Sequence, residues 1–473
     1  MNLRKAGLMA ITITGAVALG ACGGSSSSSP LSSQVDQGEL RVVHASANAP
    51  DVNVNANGSP VAALQGLTFG TASQRLKLDA DSYEVSVDAI VPTGTTQVVA
   101  PTTVPVNLDQ ITNVLAVGNV GDNFGPIVVT ADKTSVASTD SRVQVVHGAT
   151  GAPTVDVYVT ANDADLSDIN VTPLATLDFS DDAGPVTVPA GNYRIRITPA
   201  GDDTTVAFDS GEIALPGGSD LLVVAIDNTG SEASPVRLLV STGTGGDFVL
   251  RDRNAGADLR VVHAASGVGG ADVFARSVDA GINDFTRIVE NIAFLATDES
   301  NTGLTAADDY QVRVNVNEGG ADGPIKVDGI SLEGGEFYTA IAAGDLAAAT
   351  QELMLAVDDR RSVATEARVR AIHAASVAGT VDVFVRPTGT VTPAEVEDGT
   401  AGTPEIAGFE VGAVTPYISL AEDAYDIFVR ADSSVVISAL NQQLNTGDVV
   451  TLIAHNPDTD EAVTDSGFVI LAD

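Results

Sequence analysis

A chain of 473 residues exceeds what one hydrophobic core serves and divides into three or four domains of ordinary size. Its 62 acidic residues against 23 basic ones give a formal net charge of −39, which repels phosphate backbones and anionic headgroups and excludes a nucleic-acid partner. Hydrophobic residues make up 44% of the chain, enough to fold, and 46 glycines with frequent Val, Ile and Thr favour strands and tight turns.

Residues 1–21 read as an export signal. Arg4 and Lys5 supply the positive start, and the apolar run from Leu8 to Ala18 is too short to span a bilayer. It ends in Leu19-Gly20-Ala21-Cys22, and Cys22 is the single cysteine of the chain. This resembles a bacterial lipobox. The resemblance implies cleavage before Cys22 and diacylation of its sulfur, the most nucleophilic side chain available, with the acyl chains as the membrane partner. Gly23 follows where inner-membrane retention uses Asp, so by the same resemblance the outer membrane is favoured, with the domains facing the periplasm or the outside. Residues 22–37 form a Gly/Ser tether with nothing to pack. Once Cys22 is lipidated no thiol remains, and the exported domains must stand without disulfides.

A fourfold repetition follows. Leu40-Arg41-Val42-Val43-His44 returns as Val143-Gln144-Val145-Val146-His147, as Leu259-Arg260-Val261-Val262-His263 and as Val369-Arg370-Ala371-Ile372-His373. The spacing is that of a small domain and predicts units at 38–136, 137–247, 248–360 and 361–473, strung like beads rather than stacked as a solenoid. Alternation puts Leu40, Val42 and His44 on one face of a strand and Arg41 and Val43 on the other, and the later copies agree.

Nine residues after each histidine stand Asn53, Asp156, Asp272 and Asp382, beyond a short Ala/Gly/Pro/Ser turn that predicts a hairpin or tight corner. An acid-rich variable middle leads to a strand opened by Tyr83, Tyr193, Tyr310 or Tyr425. A tyrosine at a strand entrance is similar to the corner tyrosine of immunoglobulin-like sandwiches, whose hydroxyl ties back to the backbone. Each unit closes with a nearly continuous apolar strand and a final one, such as Leu221–Ile226 with Val236–Val240. Some seven short strands per unit predict an all-β chain of four tandem immunoglobulin/transthyretin-like β-sandwich domains on an N-terminal lipid tether.

The order Val145-Val146-His147, Ala152-Pro153, Asp156-Val157-Tyr158-Val159, with Pro189-Ala190-Gly191-Asn192-Tyr193 later, resembles the prokaryotic domain-of-unknown-function family 4397. The resemblance covers residues 38–473 as four copies, the second being nearest the pattern. The first departs with Asn53 for Asp, and the third and fourth carry Gly269-Gly270 and Ala378-Gly379 for Ala-Pro. The family implies secreted or surface-anchored sandwich domains and brings no activity with it.

The pairs His44/Asn53, His147/Asp156, His263/Asp272 and His373/Asp382 are the sharpest polar constellation. A general base with its orienting carboxylate, or half a metal site, would use such residues. No nucleophile recurs beside them, no third ligand recurs, and Asn53 cannot act as a carboxylate. The pairs therefore read as structural, the ring donating to the Asn/Asp side chain or to a carbonyl across the turn, with no catalytic or metal role. His455 has no counterpart and reads as a surface-loop residue, and Gly243-Thr244-Gly245-Gly246 as a flexible joint. The acidic stretch Asn162-Asp163-Ala164-Asp165 with Asp168 offers oxygen ligands but lacks the twelve-residue calcium loop. The expectation is a non-catalytic lipid-anchored envelope protein acting as an adhesive, scaffolding or ligand-binding module, with an unidentified protein or glycan partner. The alternative is a calcium- or glycan-binding envelope protein using its acidic loops and joints; no other cofactor is expected.

Overall fold

The structure is a computed structural model that describes residues 36–278, 284–316, 324–346, 348–457 and 467–473. The signal, Cys22 and most of the tether lie outside the described residues. Eight sheets pair off into four sandwiches.

In the first sandwich the strands are β1 (Gln37–His44), β2 (Val52–Ala56), β3 (Ser59–Pro60), β4 (Thr71–Ala72), β5 (Leu76–Asp79), β6 (Asp81–Val91), β7 (Gly94–Val106), β8 (Gln110–Val117) and β9 (Gly125–Asp132). One sheet runs β4-β1-β8-β9, with β5 also on β1, and the other runs β3-β2-β6-β7. The first two strands thus lie in different sheets, and the turn after His44 is a corner between layers. In the immunoglobulin order they would share a sheet. β1 and β8 pair in parallel, His44 opposite Ala116. The counterparts of β1 (Asp140–His147, Ala257–His263 and Ala367–His373) pair in parallel with Ser219–Asp227, Phe337–Ala343 and Val449–His455 in the same way.

Sequence periodicity does not single out β7, which is largely open to solvent, nor its counterparts Phe208–Leu215, Ile325–Leu332 and Ser434–Leu444, which mix apolar with polar residues. Phe248–Leu250 pairs with Val236–Ser241, so the second sandwich reaches past the expected boundary at residue 247.

The four tyrosines close corners. Their hydroxyls donate to the carbonyls of Asp79 (3.0 Å), Pro189 (2.8 Å), Thr305 (2.7 Å) and Ala421 (3.0 Å). Tyr310 and Tyr425 are the buried ones, each only 7% exposed, and Tyr425 serves as the test. Tyr425→Phe keeps the ring and strands the Ala421 carbonyl, and should cost about 1 kcal/mol in denaturant unfolding. A midpoint equal to the parent's would assign the residue to packing alone.

The bead arrangement is corrected by the second face of the β1 sheet. Val43, Leu115, Val117 and Val129 pack against Val146, Leu222, Val224, Ile226 and Leu239 of the next sandwich. Val262, Ile341, Ala343 and Met354 pack likewise against Ile372, Ile453, Val469 and Leu471. Sandwiches one and two thus lie face to face, as do three and four. A strand buried on both faces reads as a near-continuous apolar run, the reason for Val-Val before each of the first three histidines. Each large apolar side chain withdrawn from water there contributes roughly 1.5–3 kcal/mol.

The two pairs also meet. Ser231 donates to the carbonyls of Gly256 and Glu336, both at 3.1 Å. Arg361 reaches back to the carbonyls of Ala47 (3.1 Å) and Ala49 (2.9 Å) in the first sandwich. Residues 36–473 form one compact unit.

Candidate functional site: histidine corners, an arginine seam and a central cleft

The repeated histidines end the strand that feeds each corner, and all four are buried at 1% exposure. Nε2–H of His44 donates to the carbonyl of Pro50 (2.9 Å), that of His147 to Pro153 (3.1 Å) and that of His373 to Gly379 (2.7 Å). His263 departs from this, its Nδ1 accepting the amide of Ala265 at 3.3 Å. Each ring lies against a phenylalanine: Phe69, Phe179, Phe294 or Phe409. Burial pulls the His44 imidazole down to about 4 and lowers that of His373. A ring held in this way fastens the corner between the two layers.

The residue nine positions on does not meet the ring. Asn53, Asp156, Asp272 and Asp382 stand in the opposite sheet and accept backbone N–H groups from Gly66 (2.9 Å), Gly201 (2.8 Å), Asn291 (2.8 Å) and Gly408 (2.9 Å). All four donors have positive φ, between 44° and 76°. The side chain therefore locks a left-handed turn beside its strand. The expected polar pair is two separate fastenings, because the corner carries the chain from one layer to the other.

His455 is also corrected. It ends a central strand, is 3% exposed, and sets its ring edge-on to Phe294 of the third sandwich, 5.9 Å between centroids. The glycine joint is docked rather than loose. The Gly243 carbonyl accepts the Arg75 amide at 2.9 Å, and a Cβ at Gly243 would sit 2.4 Å from the Arg75 side chain. In the acidic loop Asp165 accepts from Ser167, and Asp168 from Asn170, which holds both carboxyls below their usual range. These are turn-forming bonds.

Composition alone hides a seam of buried arginines. Three residues before each histidine stand Arg41, Gln144, Arg260 and Arg370, on the face shared between sandwiches and at most 3% exposed. Nε of the arginines donates to Asn113 (2.8 Å), Thr339 (3.1 Å) and Thr451 (2.9 Å) on the parallel neighbour strand. Between sandwiches three and four, Arg370 pairs with Asp358, and Arg260 with Asp358 and Asp473. Between one and two, Arg41 reaches the neutral Ser241 instead, and desolvation, aided by Arg75, lowers its pKa to about 9.

Where the four sandwiches meet lies a cleft of about 670 Å3, walled by Phe69 of the first, Ile226 of the second, Val357 of the third and Tyr417 of the fourth. Arg237, Arg251, Arg361, Arg368 and Arg370 line it.

The family model described as "Domain of unknown function (DUF4397)" matches residues 38–158 and 257–384, more than half of the chain. The chain belongs to the DUF4397 family. Each match runs through one whole sandwich and into the histidine strand, corner and second strand of its face-to-face partner. The four copies expected from the sequence are thus matched as two regions, which begin at the first and third sandwiches. Among solved structures, the Bacillus anthracis TIE protein is 11% identical with a TM-score of 0.15, over 89% of this chain and 68% of its own. A product complex of the glycogen-degrading pneumococcal virulence factor SpuA is 10% identical with a TM-score of 0.15, over 60% of this chain and 37% of its own. Neither likeness bears on function. No curated protein matches the chain.

Proposed function

We propose that this DUF4397 protein is a lipid-anchored component of the cell envelope, held through a diacylated Cys22, whose four domain copies form a rigid, non-catalytic body for adhesion, scaffolding or ligand binding. The observation that carries the non-catalytic reading is the use of the repeated polar residues. Three of the four histidines hold a corner carbonyl, all four Asx side chains hold a left-handed turn, and all four tyrosines close a strand entrance. Residues spent on the fold are not free for proton transfer. The anchor rests on Leu19-Gly20-Ala21-Cys22 behind a short apolar run, and Gly23 favours the outer membrane.

The test is metabolic labelling with a palmitate analogue and fractionation of the full chain beside Cys22→Ala. The parent should carry label and sediment with membranes, and the variant should lose the label completely. A parent recovered unlabelled from the soluble fraction would refute the anchor.

A further inference from the structure

We propose that the cleft at the junction of the four sandwiches binds a small oxyanion, a carboxylate- or phosphate-bearing ligand, around Arg361. The chain has 23 basic residues against 62 acidic ones, yet five arginines line this one cleft. Four of them are matched by carboxylates. Arg237 pairs with Glu232 at 2.6 Å, Arg251 with Glu333 at 3.0 Å, Arg368 with Asp359 at 2.6 Å, and Arg370 with Asp358.

Arg361 is the exception. Its Nη1 serves the two carbonyls of the first sandwich, and its guanidinium lies 5.6 Å from the Phe69 ring centroid. Among the described residues no carboxylate comes within ion-pair distance of it. Desolvation and the neighbouring Arg368 both weaken its hold on its proton. Arg361 is half-buried, and Asp359, Asp51 and Glu366 act on it only from beyond ion-pair distance; a guanidinium still holding unused N–H donors matches carboxylate and phosphate oxygens as a fork. The cleft has room for a ligand of several such groups. Asp51 also faces the cleft, beyond ion-pair range of Arg361, and its carboxyl is pushed up by desolvation. Glu336, Asp358 and Asp359 line the cleft as well, each paired with an arginine, so Asp51 is the carboxylate without an ion pair, among the described residues, that an incoming anion must tolerate.

The inference is independent of the anchor, since membrane fractionation reads Cys22 while the cleft is read by titration. Isothermal titration calorimetry of the full chain in detergent micelles, at low salt, would use inorganic phosphate, citrate and digalacturonate as three separate probes. Saturable heat is expected with at least one, and which one distinguishes phosphate from carboxylate sources. Two substitutions that leave the Arg361 bonds intact should act in opposite directions. Thr229 lines the cleft on the second sandwich, so Thr229→Asp adds a negative charge to its wall and should weaken binding by about tenfold or more, whereas Asp51→Asn removes the competing charge and should tighten it several-fold. Heat absent with all three probes, or affinity that ignores both substitutions, overturns the proposal. Thermal melts of both variants, matching the parent, separate lost binding from lost folding.

Discussion

Asp358→Ala is expected to cost about 3–5 kcal/mol of stability, the range for removing one partner of a buried ion pair. Its carboxylate ends the strand Glu352–Asp358, and its side chain is 0% exposed. It accepts the Thr339 hydroxyl at 2.7 Å, Arg260 and Arg360 at 3.3 Å each, and pairs with Arg370. One anion thus faces three guanidinium groups across the seam of sandwiches three and four. Without it Arg260 retains Asp473, but Arg370 keeps the Thr451 hydroxyl, the Val357 carbonyl and the face of the Tyr417 ring, with no carboxylate among the described residues. Urea unfolding should show the full loss for Asp358→Ala. Asp358→Asn keeps an acceptor for Thr339 and surrenders only the charge, so it should lie between that and the parent. Losses under about 1 kcal/mol for both would mean that the seam is held by its apolar residues and that the carboxylate is incidental.

The seam marks the limit of what the sequence discloses. Period-two alternation placed Leu40, Val42 and His44 on one face and Arg41 and Val43 on the other, and the structure has this division. What alternation cannot say is whether the second face meets water. Arg41, Arg260 and Arg370 suggest solvent, and only their matched partners across a second sheet make burial tolerable. The corner tyrosines were legible because the hydroxyl finds its carbonyl within four or five residues. The Asx fastenings were not, since their donors lie 13, 45, 19 and 26 residues away, three in the variable middle and Gly201 beyond the tyrosine strand. The cleft is less legible still. Arg361 sits in a joint between units with no repeated counterpart, and the cleft's lining comes from four sandwiches.

Leu222→Asp should separate the first two sandwiches without unfolding either. Leu222 is 0% exposed and belongs wholly to the face against the first sandwich, beside Val224 and Leu239. The alternate residues Leu221 and Val223 belong to its own sandwich core and are untouched. A carboxylate placed there meets Leu115 and Val43, with no partner to offset its desolvation. The loss should exceed about 4 kcal/mol, the class of a charge buried without a partner. Small-angle scattering should show the radius of gyration rise, and the melt should split as the pair loses cooperativity. Leu222→Ala is the control. It should cost about 2–5 kcal/mol as a cavity and leave the radius unchanged, because the surfaces remain apolar. If the sandwiches were independent beads, Leu222 would face water and either change would stay within about 0.5 kcal/mol. The same pair of variants therefore measures how much of each sandwich's stability is held in common with its partner.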